Sequence, residues 1–146
     1  MADAAHVSRV AKDYTPHGYS IIEDVVVRLD PITAAGGATD DHREWAVYVA
    51  SDADSYIESA SIILDGTSAA NATWSAVLTN KTAANNLGSG LVTMQSRAAW
   101  AEVHLTIDQN RIIAKGNVLA IALTEVGTAG SNLPSSVLSI RVRRKA

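Results

Sequence analysis

Residues 112–143 constrain the fold of this chain more than any other stretch. Lys115, Gly116 and Asn117 spell a turn, Val118 to Val126 is an almost unbroken apolar run, and Val137 to Arg143 alternates apolar with polar side chains. A short apolar run between turn signals reads as a strand covered on both sides, and strict alternation reads as a strand with one wet face. The pattern therefore predicts a central strand and a half-exposed one. They are joined through residues 127–136, which have the length and composition of an interaction loop. Nothing in this stretch resembles catalytic apparatus.

The same grammar runs back along the chain. Residues 21–29 are dense in β-branched side chains, which disfavour a helix, with Val25, Val27 and Leu29 expected on one face and Val26 and Arg28 on the other. Asp30 and Pro31 end that strand, and 34–41 read as a loop. Residues 43–50 place Trp45, Val47 and Val49 inward with Glu44 and Tyr48 outward. In 56–64, Ile62 and Leu64 fall on one side and Ile57 and Ile63 on the other, before Asp65 and Gly66, a hairpin-type signal. Residues 73–79 set Trp74, Ala76 and Leu78 against Ser75, Val77 and Thr79. Residues 80–96 are weakly patterned, with a short strand or helical turn near 91–94. Residues 99–107 alternate again, with Val103, Leu105 and Ile107 inward and Glu102, His104 and Thr106 outward. Leu138, Ile140 and Val142 point inward on the last strand. Seven or eight strands with no long helix predict an all-β fold, an antiparallel β-sandwich of jelly-roll type over residues 21–146. Residues 1–20 lack either period and read as an extended N-terminal arm. It is either a mobile terminus or, given Tyr14 and Tyr19, a segment that docks on a neighbouring subunit.

Composition narrows the function. The chain has no cysteine and no phenylalanine, so disulfides, thiolate metal sites and a cysteine nucleophile are excluded, and the core must be aliphatic with Trp45, Trp74 and Trp100 as its few large pieces. No apolar segment approaches the length of a membrane helix. The first ten residues lack a cationic start and an apolar centre, so the expectation is a protein made in the cytoplasm without a signal peptide. A formal net charge of −3 provides no global attraction to nucleic acid.

Candidate chemistry is sparse. Asp40, Asp41, His42 and Glu44 form the densest polar cluster, and at a loop-to-strand junction solvated charge is its ordinary explanation. Asp52, Asp54 and Glu58 suggest a cation loop, but a calcium loop starting at Asp52 would need glycine and glutamate where Ile57 and Ile63 stand. His6, His17, His42 and His104 show no paired ligand spacing. Gly88, Ser89 and Gly90 are not a nucleophile elbow, and no phosphate-cradling glycine loop is present. Asn71 and Asn80 begin glycosylation triplets that carry no weight without an export signal. The expectation is a non-enzyme with no cofactor and no metal.

Arg141, Arg143, Arg144 and Lys145 crowd the C-terminus, with Arg141 and Arg143 on one face of the strand. They are a solvated tail, or cations guarding an exposed edge strand, or contacts to an acidic protein surface. Nucleic acid is the weaker reading without interleaved aromatics. With Tyr14 and Tyr19, Arg141, Arg143 and Arg144 are the candidate partner-binding residues.

Three segments carry a family likeness: W-A-V-Y-V-A-S-D-A-D-S-Y-I-E-S-A-S-I-I-L-D-G from Trp45, A-T-W-S-A-V-L-T-N-K-T-A from Ala72, and A-K-G-N-V-L-A-I-A-L-T-E-V-G-T-A-G-S-N-L-P from Ala114. Over Trp45 to Val142 the chain resembles the small jelly-roll virion proteins of tailed bacteriophages, which serve as capsid decoration (cement) proteins and head-fibre bases. The resemblance implies a non-enzymatic virion protein that binds the outer surface of an assembled capsid. Its partners would be the major capsid protein and itself, as a homotrimer, with no membrane. It would be made in the bacterial host cytoplasm and located on the capsid surface. The alternative is a tail or fibre module recognising host surface glycan, which would present Trp100, Tyr48 and Tyr56 as an aromatic platform. A hydrolase built around His42 or His104 is a third reading.

Overall fold

The alternating runs do become strands. The computed structural model describes residues 18–33, 42–68, 73–90, 92–126 and 132–145. The described strands are β1 (Tyr19–Leu29), β2 (His42–Val49), β3 (Ser55–Leu64), β4 (Thr73–Asn80), β5 (Asn85–Asn86), β6 (Val92–Thr93), β7 (Glu102–His104), β8 (Ile112–Ile113), β9 (Val118–Val126) and β10 (Ser136–Lys145). One sheet has the order β1-β10-β3-β7 with β8 also on β3, and the other β2-β9-β4-β5 with β6 also on β4. All pairings are antiparallel. The two sheets close on one aliphatic core, so the fold is an all-β antiparallel sandwich.

The core draws on both sheets. Leu29, Ile57, Ile62, Leu138, Ile140 and Val142 come from the first and Trp74, Leu78, Leu119, Ile121 and Leu123 from the second, none more than 1% exposed. Each such side chain contributes roughly 1.5–3 kcal/mol on burial. Val118–Val126 is central in its sheet, between β2 and β4, and β10 is central in the other, between β1 and β3. The strand pair of the C-terminal third therefore spans the sandwich, one strand in each sheet. Of the connection between them, residues 127–131 lie outside the described residues, and Leu133 forms a bridge with Ile32.

Two bulges rewrite the local alternation. In β2 the register against β9 shifts between Ala46 and Tyr48, so Val47 is the extra residue. Past it Tyr48 pairs with core-facing Leu119 and packs on the core, while Val49, expected inward, is 47% exposed. In β3 the register against β10 jumps from Ser59 opposite Arg141 to Ile57 opposite Val142, leaving Glu58 as the bulge. Ile57 is thereby carried to the core, against the expected split from Ile62 and Leu64. An extra residue reverses facing because the side-chain period is two.

Three further expectations are corrected. Asp65 and Gly66 do not turn a hairpin, because the chain crosses here from β3 in one sheet to β4 in the other. Of 99–107 only Glu102–His104 is a strand, and Trp100 breaks the extended backbone with a φ of 65°. Trp100 is also 69% exposed, so only Trp74 fills the core and Trp45 packs at its margin. Finally, β1 begins at Tyr19, so Tyr19 and Ser20, expected as the end of the arm, are part of the sandwich. Residues 1–17, with Tyr14, lie outside the described residues.

Candidate interaction surface

The candidate residues gather where β1, β10 and β3 run side by side. β1 lies next to β10, so its acidic residues fall opposite the C-terminal cations: Asp24 pairs in register with Arg141, and Ile22 with Arg143. Each cation finds a carboxylate within this chain. Arg141 Nε lies 3.1 Å from Asp24, Arg143 Nε 2.9 Å from Glu58, Arg144 Nε 3.3 Å from Glu23 and Lys145 Nζ 3.8 Å from Asp54. Arg143 reaches both oxygens of Glu58, the fork-to-carboxylate geometry that favours arginine. The hydrogen bond and charge of Asp24 raise the Arg141 pKa above its already high ordinary value, so that side chain is cationic at every working pH. The C-terminal run is therefore a stripe of internal ion pairs. The edge-guard reading of these arginines is overturned, because β10 is flanked on both sides and has no open edge.

The three arginines do not share a face. Arg141 and Arg143 alternate with the buried Leu138, Ile140 and Val142 and lie on the outer surface of the sheet, as expected. Arg144 falls in the other phase, at a small depression of about 120 Å³ with Glu23, Tyr48 and Asp52. Tyr19 is 6% exposed, its ring edge-to-face with Tyr56 at 6.3 Å and the Lys145 ammonium 5.3 Å from its centroid. The register shift around Ser20 brings it there.

The other candidates do not converge. His42 Nδ1 is 2.8 Å from Thr124 Oγ1, and Glu44 pairs with Lys81 at 2.8 Å; Asp40 and Asp41 lie outside the described residues. Asp54 accepts the Lys115 backbone N–H at 2.8 Å and Glu58 is held by Arg143, so the carboxylates of the supposed cation loop turn to different partners. Among the described residues no three His, Asp or Glu side chains gather to hold a metal. His104 lies 2.9 Å from Glu102, and the histidine bonds among the described residues involve no serine hydroxyl. Asn80 is 4% exposed with its Oδ1 accepting the Ala83 N–H, a position closed to a glycan. The aromatic platform is broken at Trp100. Tyr56 is near the start of β3, whereas the Trp100 N–H bonds Leu64 O at its end, eight residues or about 26 Å along the strand; Tyr48, from the other sheet, reaches Ser55 beside Tyr56 through its hydroxyl at 2.7 Å.

Among the described residues β1 and β2 are the long strands with an open outer edge, and β1 is the longer. Among the described residues this eleven-residue strand pairs with β10 alone, and on it Val26 is 65% and Ile22 51% exposed. Its charges are engaged by the chain itself: Glu23 with Arg144, Asp24 with Arg141, and Arg28 with Asp65 at 2.6 Å. Sequence reasoning missed this edge because a strand's neighbours are not written in its own residues.

No family model matches the chain, and no curated protein matches it. Among solved structures it is similar to those titled infectious bursal disease virus Gt strain (8% identity, TM-score 0.28), infectious bursal disease virus VP2 subviral particle (13%, 0.27) and infectious bursal disease virus Gx strain (12%, 0.28). These matches take in 86%, 86% and 87% of this chain but 38%, 37% and 38% of those chains, so it spans less than two fifths of their length.

Proposed function

We propose that the protein is a non-enzymatic virion structural protein that binds the outer surface of a tailed-phage capsid and stabilises it, as a decoration or cement protein. Its partners are the major capsid protein and two further copies of itself in a homotrimer. It is made in the bacterial host cytoplasm and carried on the capsid. The observation that supports this reading best is the open edge of β1. A row of backbone N–H and C=O groups unpaired among the described residues, with exposed Val26 and Ile22 beside it, suits addition of a strand from a neighbouring subunit. Many copies on one lattice then gain avidity from individually modest contacts. The sequence resemblance to phage jelly-roll virion proteins points the same way. A glycan-binding fibre module has weaker support, since Trp100 stands at the opposite end of β3 from Tyr56.

Co-sedimentation of the purified protein with undecorated capsids tests the reading. Saturable binding at a fixed ratio to the major capsid protein is expected, and capsids that sediment without it would overturn the function.

A further inference from the structure

A cavity of about 560 Å³ opens at the end of the sandwich, between the β4–β5 turn, residues 109–112 and the turn before β9. Its polar lining is dominated by carboxamides: Asn80, Asn85, Gln109, Asn110 and Asn117. Ile112, 49% exposed, the Tyr56 side chain and the methyls of Ala83 and Ala114 supply its apolar surface. The volume lies in the range of small-ligand sites.

The lining carries little usable charge. Among the described residues no carboxylate lines the cavity. Its single cation, Arg111, donates to Tyr56 Oη at 3.2 Å, to Glu58 O at 3.0 Å and to Ile107 O, and lies over the Tyr56 ring at 5.6 Å. The guanidinium is thus occupied in holding β3 to the 107–111 segment. The carboxamides are only half used. Gln109 Nε2 and Asn110 Nδ2 both donate to Asn86 O, at 3.3 and 2.8 Å, which leaves their oxygens without a partner among the described residues. Asn80 is 4% exposed and its Oδ1 accepts from Ala83, yet its amide nitrogen donates to no described residue.

We propose that this cavity binds a neutral saccharide. Carboxamides present donors and acceptors together, as sugar hydroxyls require, and the Ile112 and alanine surfaces meet the C–H faces of a pyranose ring. Among the described lining residues an anion would find no free cation, and a metal ion no carboxylate. The proposal is independent of the capsid-binding reading and of Trp100 and Tyr48.

The test is a titration of the ¹⁵N-labelled full chain with glucose, galactose, N-acetylglucosamine and lactose, with glucuronate as the anionic comparison, followed by NMR. The expected result is saturable shifts of the side-chain NH₂ signals of Asn80, Asn85 and Asn117 by at least one neutral sugar, and none by glucuronate. The double variant Asn85→Ala with Asn117→Ala, the first on exposed β5 and the second at the turn before β9, should keep the wild-type spectrum elsewhere and weaken binding about tenfold or more. Absence of shifts with every neutral sugar, shifts confined to another surface, equal response to glucuronate, or undiminished binding by the double variant would each overturn the proposal. Should the double variant lose its native spectrum, Asn85→Asp serves instead, with weakened binding expected and unchanged affinity counting against the site.

Discussion

Gly88 shows how closely the loops are fitted at single residues. A Cβ built there would lie 2.5 Å from the Thr106 carbonyl oxygen, whereas one at Gly90 would meet nothing within 4 Å. Gly88→Ala should cost about 1–3 kcal/mol through forced displacement of the 105–108 backbone, and Gly90→Ala little; denaturant midpoints of the two variants measure the difference. Nearby, Asp108 accepts from the Ser89 backbone N–H at 2.8 Å and from the Ser89 hydroxyl, and these bonds hold its carboxyl below the ordinary value. Asp65 is lowered in the same way, first by Ser135 and then by Arg28. Because both native pKa values are depressed, the stability these groups contribute is present above their unfolded value of about 4 and is lost as pH falls through the native values. Denaturant unfolding between about pH 6 and pH 2 should therefore show acid destabilisation that is smaller in Asp108→Asn than in wild type.

At the scale of the strand, facing depends on counting, and the bulges change the count. The alternation in β1 from Ile21 onward, β4 and β10 was legible in the sequence because those stretches keep their phase: Leu29, Trp74, Leu78, Leu138 and Ile140 face the core as expected. In β2 and β3 the phase slips at Val47 and Glu58, and no residue in either strand announces it. Val49→Ser should change stability by less than about 0.5 kcal/mol, whereas Ile57→Ala should cost about 2–5 kcal/mol. Thermal melts that gave the reverse order would contradict the bulged registers. On β1, Val26→Lys places a charge on the open edge without touching the core. It should leave the melting temperature unchanged while reducing occupancy on undecorated capsids, and undiminished occupancy would exclude this edge from the contact.

At the scale of the whole molecule, the C-terminal cations change meaning. Read along the chain, Arg141, Arg143, Arg144 and Lys145 look like a basic tail; in the fold each faces a carboxylate. A stripe so neutralised should release few counterions from DNA. Gel retardation at about 50 mM salt is expected to show no shift of duplex DNA, and a steep salt-dependent shift would restore the nucleic-acid reading.

The sequence by itself determined the class of fold, the aliphatic core and the lack of recognisable catalytic motifs, because period-two alternation, turn residues and residue chemistry are local properties. Tertiary structure alone decided which strands lie at the sheet edges, where the register slips, and which charges meet: Asp24 and Arg141 are 117 residues apart, Glu58 and Arg143 85. It also drew carboxamides from three separate stretches, each ordinary by itself, into one cavity. Contacts of that kind depend on how strands pair across the whole chain, and pairing depends on every strand at once.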